Sequence, residues 1–117
     1  MIVDSSPLIT DRLKDLISEV HEDIQFDTAS SNSEARTILN SYKPDVVVLG
    51  WDLPGIDAIS IANRIRSINT KAIIIGLSHF VNSQIKTKSQ QNNIDFLLDK
   101  YDEFDQVAEI VKKVSSF

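Results

Sequence analysis

Residues able to do chemistry follow four short apolar runs of the sequence. They are two carboxylates, two hydroxyls and one amine: Asp4, Asp52, Ser5, Ser78 and Lys100. Carboxylate oxygens can hold Mg²⁺ or pair with a lysine, and a hydroxyl can contact an anionic group. Gly50 directly follows the run 46–49, where a reactive side chain would be well placed. A glycine has no side-chain atom that could accept a transferred group.

The apolar runs predict β-strands. They cover residues 1–3, 46–49, 72–75 and 96–98. Each run is short, mostly β-branched or aromatic, and does not alternate with polar residues, which is typical of strands covered on both faces. Residues 24–29 do alternate, with Ile24, Phe26 and Thr28 against Gln25, Asp27 and Ala29, and predict a half-exposed strand near an edge of the sheet.

Helical patterns separate these strands. Ser6 before Pro7 is a good cap and first-turn pair, and Ser31 with Glu34 has the spacing of a capping box. The clear helical stripes cover about residues 7–20, 31–42, 59–68 and 104–114. The segment 81–93 is more polar, with only Val81 and Ile85 as core candidates, and predicts the most mobile helix.

Five strands alternating with five helices predict one α/β domain over residues 1–117. We expect a single doubly wound, five-stranded parallel sheet in the flavodoxin-like order 2-1-3-4-5, with helices on both faces. Sites in such sheets lie beyond the carboxyl ends of the strands, where the strand order reverses. The predicted pocket at this edge comprises Asp4, Ser5, Gly50, Asp52, Ser78 and Lys100.

Composition limits the possible functions. The 117 residues are 42% hydrophobic and carry 12 Lys and Arg against 17 Asp and Glu, a formal charge of −5. This negative field repels phosphate backbones, so we expect no direct nucleic-acid binding. The absence of cysteine excludes disulfides and thiolate metal sites. No apolar segment approaches membrane-spanning length, so we expect a soluble, cytoplasmic protein without a membrane partner.

The chain resembles the receiver domain of two-component response regulators over essentially its whole length. Four motifs carry the resemblance, in order and at suitable spacing. They are Ile-Val-Asp-Ser-Ser-Pro (2–7), the strand and Leu-Pro-Gly turn within 44–59, Ile-Gly-Leu-Ser (75–78) and Asp-Phe-Leu-Leu-Asp-Lys (95–100).

The resemblance implies a phosphoryl-accepting carboxylate, an acidic pair that helps hold Mg²⁺, a hydroxyl and a lysine. The hydroxyl corresponds to Ser78, the lysine to Lys100 and the first acid to Asp4. The second acid corresponds to Ser5 and the phosphoacceptor to Gly50, and both are departures from the family pattern. Because a glycine cannot form an acyl phosphate, we expect no phosphorylation at Gly50, no catalytic residue, no cofactor and at most weak Mg²⁺ binding.

The missing acceptor also changes the charge balance of the pocket. Asp4, Asp52 and Lys100 leave one net negative charge, and a lysine at a strand end would be destabilised by desolvation unless a carboxylate neutralised it. We therefore expect Lys100 to pair with Asp4 or Asp52 in a pocket closed without metal.

The leading hypothesis is a non-enzymatic receiver-like domain of phosphorelay signalling that acts through protein contacts. By family precedent the contact face comprises the fourth helix, the fifth strand and the fifth helix, with Tyr101, Phe104 and residues 84–91. Its expected partners are a histidine kinase, another regulator or an output domain. Leu97 stands where the family often has an aromatic switch residue, and Tyr101 stands where it often has proline. Both departures argue against a phosphorylation-driven switch.

Several alternatives stay open. Asp52 could replace the missing acceptor and make the chain a working receiver. A small flavodoxin-like enzyme or flavin binder is less favoured, because no glycine-rich phosphate loop follows any strand. Ser78 beside His79 lacks the Gly-x-Ser-x-Gly elbow of a hydrolase. Taken alone, Gly50 could simply permit a close backbone approach, and Asp4 could simply cap the first helix. The oligomeric state is open.

Overall fold

The computed structural model describes residues 1–51, 53, 56–79 and 81–114. Within these residues, strands and helices alternate along the chain. The strands are β1 (Ile2–Val3), β2 (Thr28–Ala29), β3 (Val46–Gly50), β4 (Ile73–Ser78) and β5 (Phe96–Asp99). The helices are α1 (Pro7–Val20), α2 (Asn32–Leu39), α3 (Ala58–Ile68), α4 (Ser83–Gln91) and α5 (Gln106–Val114).

The five strands form one parallel sheet in the order β2-β1-β3-β4-β5, which confirms the predicted topology. β1 lies between β2 and β3, so the strand order reverses there. The register places Val3 beside Leu49, Gly50 beside Leu77 and Ser78 beside Asp99. The carboxyl ends of β1, β3, β4 and β5 therefore meet along one edge of the sheet.

Each face of the sheet packs into its own hydrophobic cluster. Val47 and Leu49 point into one cluster with residues of α2 and α3, and Val48 points into the other with residues of α1 and α5. Successive strand residues face opposite sides of a sheet, so a strand with helices on both faces has no polar side. This explains why the runs at β3 and β4 are continuously apolar.

The first two helices begin where the capping residues predict. The Ser6 hydroxyl accepts a hydrogen bond from the Ile9 amide at 3.4 Å, and the Ser31 hydroxyl accepts one from the Glu34 amide at 3.3 Å. The reciprocal half of the capping box differs from expectation, because the Glu34 carboxylate accepts from the amide and hydroxyl of Ser30. These hydrogen bonds, led by the one from the Ser30 hydroxyl, lower the pKa of Glu34.

The second strand is at an edge, as predicted, but it is shorter than the pattern suggests. β2 contains only Thr28 and Ala29, since β1 offers only two residues for pairing. Ala29 is its buried residue, whereas Ile24 and Phe26 precede the strand and are half-buried. Ile24 and Phe26 therefore pack against the core cluster of α1 and α5 from the segment that leads into the strand.

α4 is anchored differently from the prediction. Val81 precedes the helix, and both Val81 and Ile85 are only half-buried. The buried residue of α4 is Ser89, whose hydroxyl donates to the Lys86 carbonyl at 2.8 Å. Apolar spacing missed Ser89 because a small serine can enter the interior once its hydroxyl is satisfied within its own helix.

No helix in the described part of the chain is long and apolar enough to cross a lipid bilayer.

Candidate functional site

The backbone holds the predicted pocket residues in place just beyond the strands. The Asp4 amide donates to the Ala29 carbonyl at 3.0 Å, and the Lys100 amide donates to the Ser78 carbonyl at 2.8 Å. Ladder-type hydrogen bonds thus extend past the ends of β1 and β5. Asp4, Ser78 and Lys100 are all buried, at 3%, 0% and 4% exposure.

Asp4 and Lys100 form a buried ion pair. The Lys100 Nζ atom lies 3.1 Å from Asp4 Oδ2, and each side chain is 2% exposed. We predicted that Lys100 pairs with Asp4 or Asp52, and the structure shows the pair with Asp4. The other carboxylate oxygen, Oδ1, accepts a hydrogen bond from the Ser6 amide at 2.8 Å, so Asp4 also ties β1 to the start of α1.

The stability of this ion pair depends on both of its charges. Asp4 Oδ2 accepts no well-aligned hydrogen bond, so its stabilisation comes from the charge of Lys100. Removing one partner of a buried pair leaves an uncompensated charge in a poorly solvated place. The two residues therefore depend on each other more than a surface pair would.

Gly50 ends β3 directly beside this ion pair. A Cβ atom added to Gly50 would lie 3.3 Å from Asp4 Oδ2 and 3.1 Å from Leu53 Cγ, and would overlap Leu53 Cδ1. The side chain of Leu53 therefore extends into the space that a side chain at position 50 would use. Sequence reasoning missed Leu53, because nothing in its type indicates that it reaches back three residues to Gly50.

The predicted pocket also included Ser5 and Asp52. Ser5 is exposed and lines a shallow cleft of about 240 Å³ with Asp4, at the start of α1. It is near Asp4 in the chain but outside the buried ion pair. Asp52, like the Pro54-Gly55 turn, lies outside the described residues.

The contacts of the described pocket residues bear on how a cation could bind there. Among them no group of three or more His, Cys, Asp or Glu side chains could hold a metal ion. The Asp4 carboxylate already faces the Lys100 amine and the Ser6 amide. Mg²⁺ binds through carboxylates whose charge is available to it, so a lysine at 3.1 Å competes directly with the cation.

Asp99 organises the loop after β5. Its Oδ1 atom accepts hydrogen bonds from the Asp102 amide at 2.8 Å and the Tyr101 amide at 2.9 Å. These two bonds, led by that from Asp102, lower the pKa of Asp99. An aspartate that accepts from amides two and three residues later makes an Asx-type turn, so the sequence did contain a signal for this role.

The two aromatic residues of the predicted contact face have opposite surroundings. Tyr101 is 72% exposed, and its ring lies 5.4 Å from that of His79. Phe104 is 6% exposed and belongs to the core cluster shared with α1, where the Arg12 guanidinium lies 4.8 Å from its ring centre. The prediction for Phe104 is corrected: it packs inside, because the turn after β5 directs it toward α1.

Other exposed side chains border this face. Phe96 on β5 is 41% exposed, which its place in a continuous apolar run did not indicate. On α4, most of the polar residues in the segment 84–91 are exposed, with Ser89 as the buried exception. Trp51, next to Gly50, is half-buried against the first core cluster, consistent with a packing role.

The sheet order and the residues at its carboxyl edge define a class of protein. A 2-1-3-4-5 sheet with an acid after β1, a hydroxyl ending β4 and a lysine after β5 is a receiver-type signalling domain of flavodoxin-like fold. The chain belongs to the response regulator receiver domain family, whose family model matches residues 1–112.

Individual relatives agree with this assignment. The chain is 36% identical over 66 residues to the positive alginate biosynthesis regulatory protein of Pseudomonas aeruginosa. It is 32% identical over 75 residues to a protein-glutamate methylesterase/protein-glutamine glutaminase of Rhodospirillum rubrum. These matches include 56% and 64% of this chain but only 27% and 20% of the relatives, so the chain spans a small part of their length.

Solved structures show the same fold. The signal receiver domain of a DNA-binding response regulator from Colwellia psychrerythraea superposes with a TM-score of 0.87 at 21% identity, covering 99% of this chain and 96% of that one. A two-component response regulator of the LuxR family from Aurantimonas superposes with a TM-score of 0.84 at 21% identity, covering 99% and 83%.

Proposed function

We propose that this receiver domain of two-component signalling is not phosphorylated at its usual position and acts through protein contacts. The single observation that carries the proposal is the state of the pocket at Gly50. Position 50 offers no acceptor oxygen, the side chain of Leu53 takes up the adjacent space, and Lys100 is neutralised by Asp4. A receiver works as a phosphorylation switch only if a carboxylate can take the phosphoryl group while a cation and the lysine balance its charge.

The chain itself then needs no cofactor and catalyses no reaction. Asp4 could hold Mg²⁺ only by giving up Lys100, and Ser5 supplies no carboxylate to replace it. We propose that residues 1–117 form one receiver domain in the cytoplasm, and that its negative charge keeps it off nucleic acid. Membership of the receiver family favours this function over the flavin-binding or enzymatic alternative.

The partner of such a domain is proposed to be a histidine kinase, another regulator or an output domain. The face formed by α4, β5 and the loop before α5 supports this, because Tyr101 and Phe96 are exposed on it. Tyr101→Ala is expected to abolish signalling output in cells that depend on this chain. Tyr42→Ala is the matched control, since Tyr42 is also exposed but precedes β3, at the amino ends of the strands.

Phosphorylation can be measured directly. The protein is incubated with acetyl phosphate and Mg²⁺, and its intact mass is determined by mass spectrometry. We expect no added phosphoryl group on the wild-type chain or on Asp52→Asn. A stable adduct on the wild-type chain that disappears in Asp52→Asn would overturn the proposal and establish Asp52 as the substitute acceptor.

A further inference from the structure

The Leu53 side chain is the nearest group to the space that Gly50 leaves empty. An added Cβ at position 50 would overlap Leu53 Cδ1, while Asp4 Oδ2 would lie 3.3 Å away. One small volume therefore borders a backbone glycine, a leucine methyl group and a buried carboxylate. Leu53 is half-buried and packs against the first core cluster, and its Cδ1 atom borders the same small volume as Asp4 Oδ2.

This arrangement has an electrostatic consequence. Asp4 and Lys100 are each 2% exposed, and Asp4 Oδ2 has no aligned hydrogen bond. An apolar group beside such a pair lowers the local dielectric constant and strengthens the attraction between the two charges.

We propose that Leu53 is a positioning residue that takes the place of the missing side chain at position 50 and keeps the Asp4–Lys100 pair dry. This inference rests on the proposed function, in which the pocket is closed instead of phosphorylated. In this proposal the residue that shields the ion pair also occupies the volume that a side chain at position 50 would need.

The first test is a stability cycle between positions 50 and 53. Gly50→Ala places a methyl group against Leu53 and is expected to lower the melting temperature of the wild-type chain. In the Leu53→Ala background the overlap with the leucine is gone and only the 3.3 Å approach to Asp4 Oδ2 remains, so the same substitution is expected to lower the melting temperature clearly less. An equal loss in both backgrounds would show that the two positions do not share this volume, and would overturn the proposal.

The second test measures how well Leu53 shields the Lys100 amine from solvent. Each variant is treated briefly with acetic anhydride, and acetylation of Lys100 relative to the exposed Lys86 is measured by peptide mass spectrometry. Leu53→Ala is expected to raise the relative labelling of Lys100 by several-fold, and the conservative Leu53→Met is expected to restore the wild-type level.

Leu16→Ala is the matched control, because Leu16 is also a half-buried leucine but packs against the other core cluster. It is expected to lower stability without changing Lys100 labelling. If Leu53→Ala labels Lys100 no faster than Leu16→Ala does, Leu53 has only a packing role and the inference fails. That result would leave the absence of phosphorylation untouched, whereas a phosphorylated wild-type chain would overturn the proposed function independently.

Discussion

The pocket edge of the sheet and the α4 surface are built in opposite ways. At the pocket, charged and polar groups are buried among strand ends, and Asp4 and Lys100 hold each other at 3.1 Å. On α4 the polar side chains are exposed, Ile85 is half-buried, and Ser89 is the buried residue. The region that carries the family's chemistry is therefore the tightly fixed one, and the region expected to meet partners is lightly anchored.

The contrast between the pocket and α4 indicates which region of the domain can change shape. Regions with few buried apolar contacts open at low free-energy cost, whereas a buried ion pair resists any motion that would separate its charges. If a partner alters this domain, we expect the change to occur at α4 and not at the pocket.

The largest effect should come from breaking the ion pair. Lys100→Met leaves the Asp4 carboxylate buried without its counter-charge and is expected to lower the free energy of unfolding by about 3–5 kcal/mol. The measurement is urea denaturation followed by circular dichroism.

The double variant Asp4→Asn/Lys100→Met is the control for this prediction. No charge is stranded in it, and the side-chain amide oxygen introduced at position 4 can still accept from the Ser6 amide. Its loss of unfolding free energy should therefore be clearly smaller than that of Lys100→Met. A double variant as unstable as Lys100→Met would mean that the two charges do not depend on each other.

A second prediction compares two isoleucines on different helices. Ile61 on α3 is 3% exposed, so Ile61→Ala should cost about 2–5 kcal/mol of unfolding free energy. Ile85 on α4 is only half-buried. Ile85→Ala should therefore cost about 1 kcal/mol or less, because the isoleucine side chain buries only part of its apolar surface in the folded state. Both are read from the same denaturation curves. Equal losses would contradict the light anchoring of α4.

The smallest effect concerns the turn between β5 and α5. The hydrogen bonds that lower the pKa of Asp99 favour its ionised form in the folded state. Its contribution is therefore complete at neutral pH and is lost as the pH falls through the folded-state pKa, which lies below the ordinary value of 3.8. Asp99→Asn should lower the melting temperature slightly at pH 7.

The same comparison at low pH provides the control for this prediction. The difference in melting temperature between the wild-type chain and Asp99→Asn should narrow at about pH 3, because the carboxylate becomes protonated as the pH falls. A difference that stays constant between about pH 7 and pH 3 would show that ionisation of Asp99 is not involved.

Much of the fold was determined by the sequence alone. Short continuous apolar runs predicted four of the strands, the helical spacing of apolar residues predicted the helices, and the capping residues Ser6 and Ser31 correctly marked the starts of α1 and α2. The alternation of strands and helices predicted a doubly wound parallel sheet, and the order 2-1-3-4-5 was favoured because it places the alternating second strand at an edge. The motifs at the strand ends identified Asp4, Ser78 and Lys100 as neighbours.

Other features could be decided only by the tertiary structure. Whether Lys100 pairs with Asp4, whether Phe104 is inside or outside, and which residue of α4 is buried all depend on side chains that are distant in the chain or on different elements. The vacancy at Gly50 is visible in the sequence, yet its occupation by Leu53 is not. A sequence records which atoms are missing at a position, whereas the close packing of the folded chain determines which neighbouring side chain fills the space.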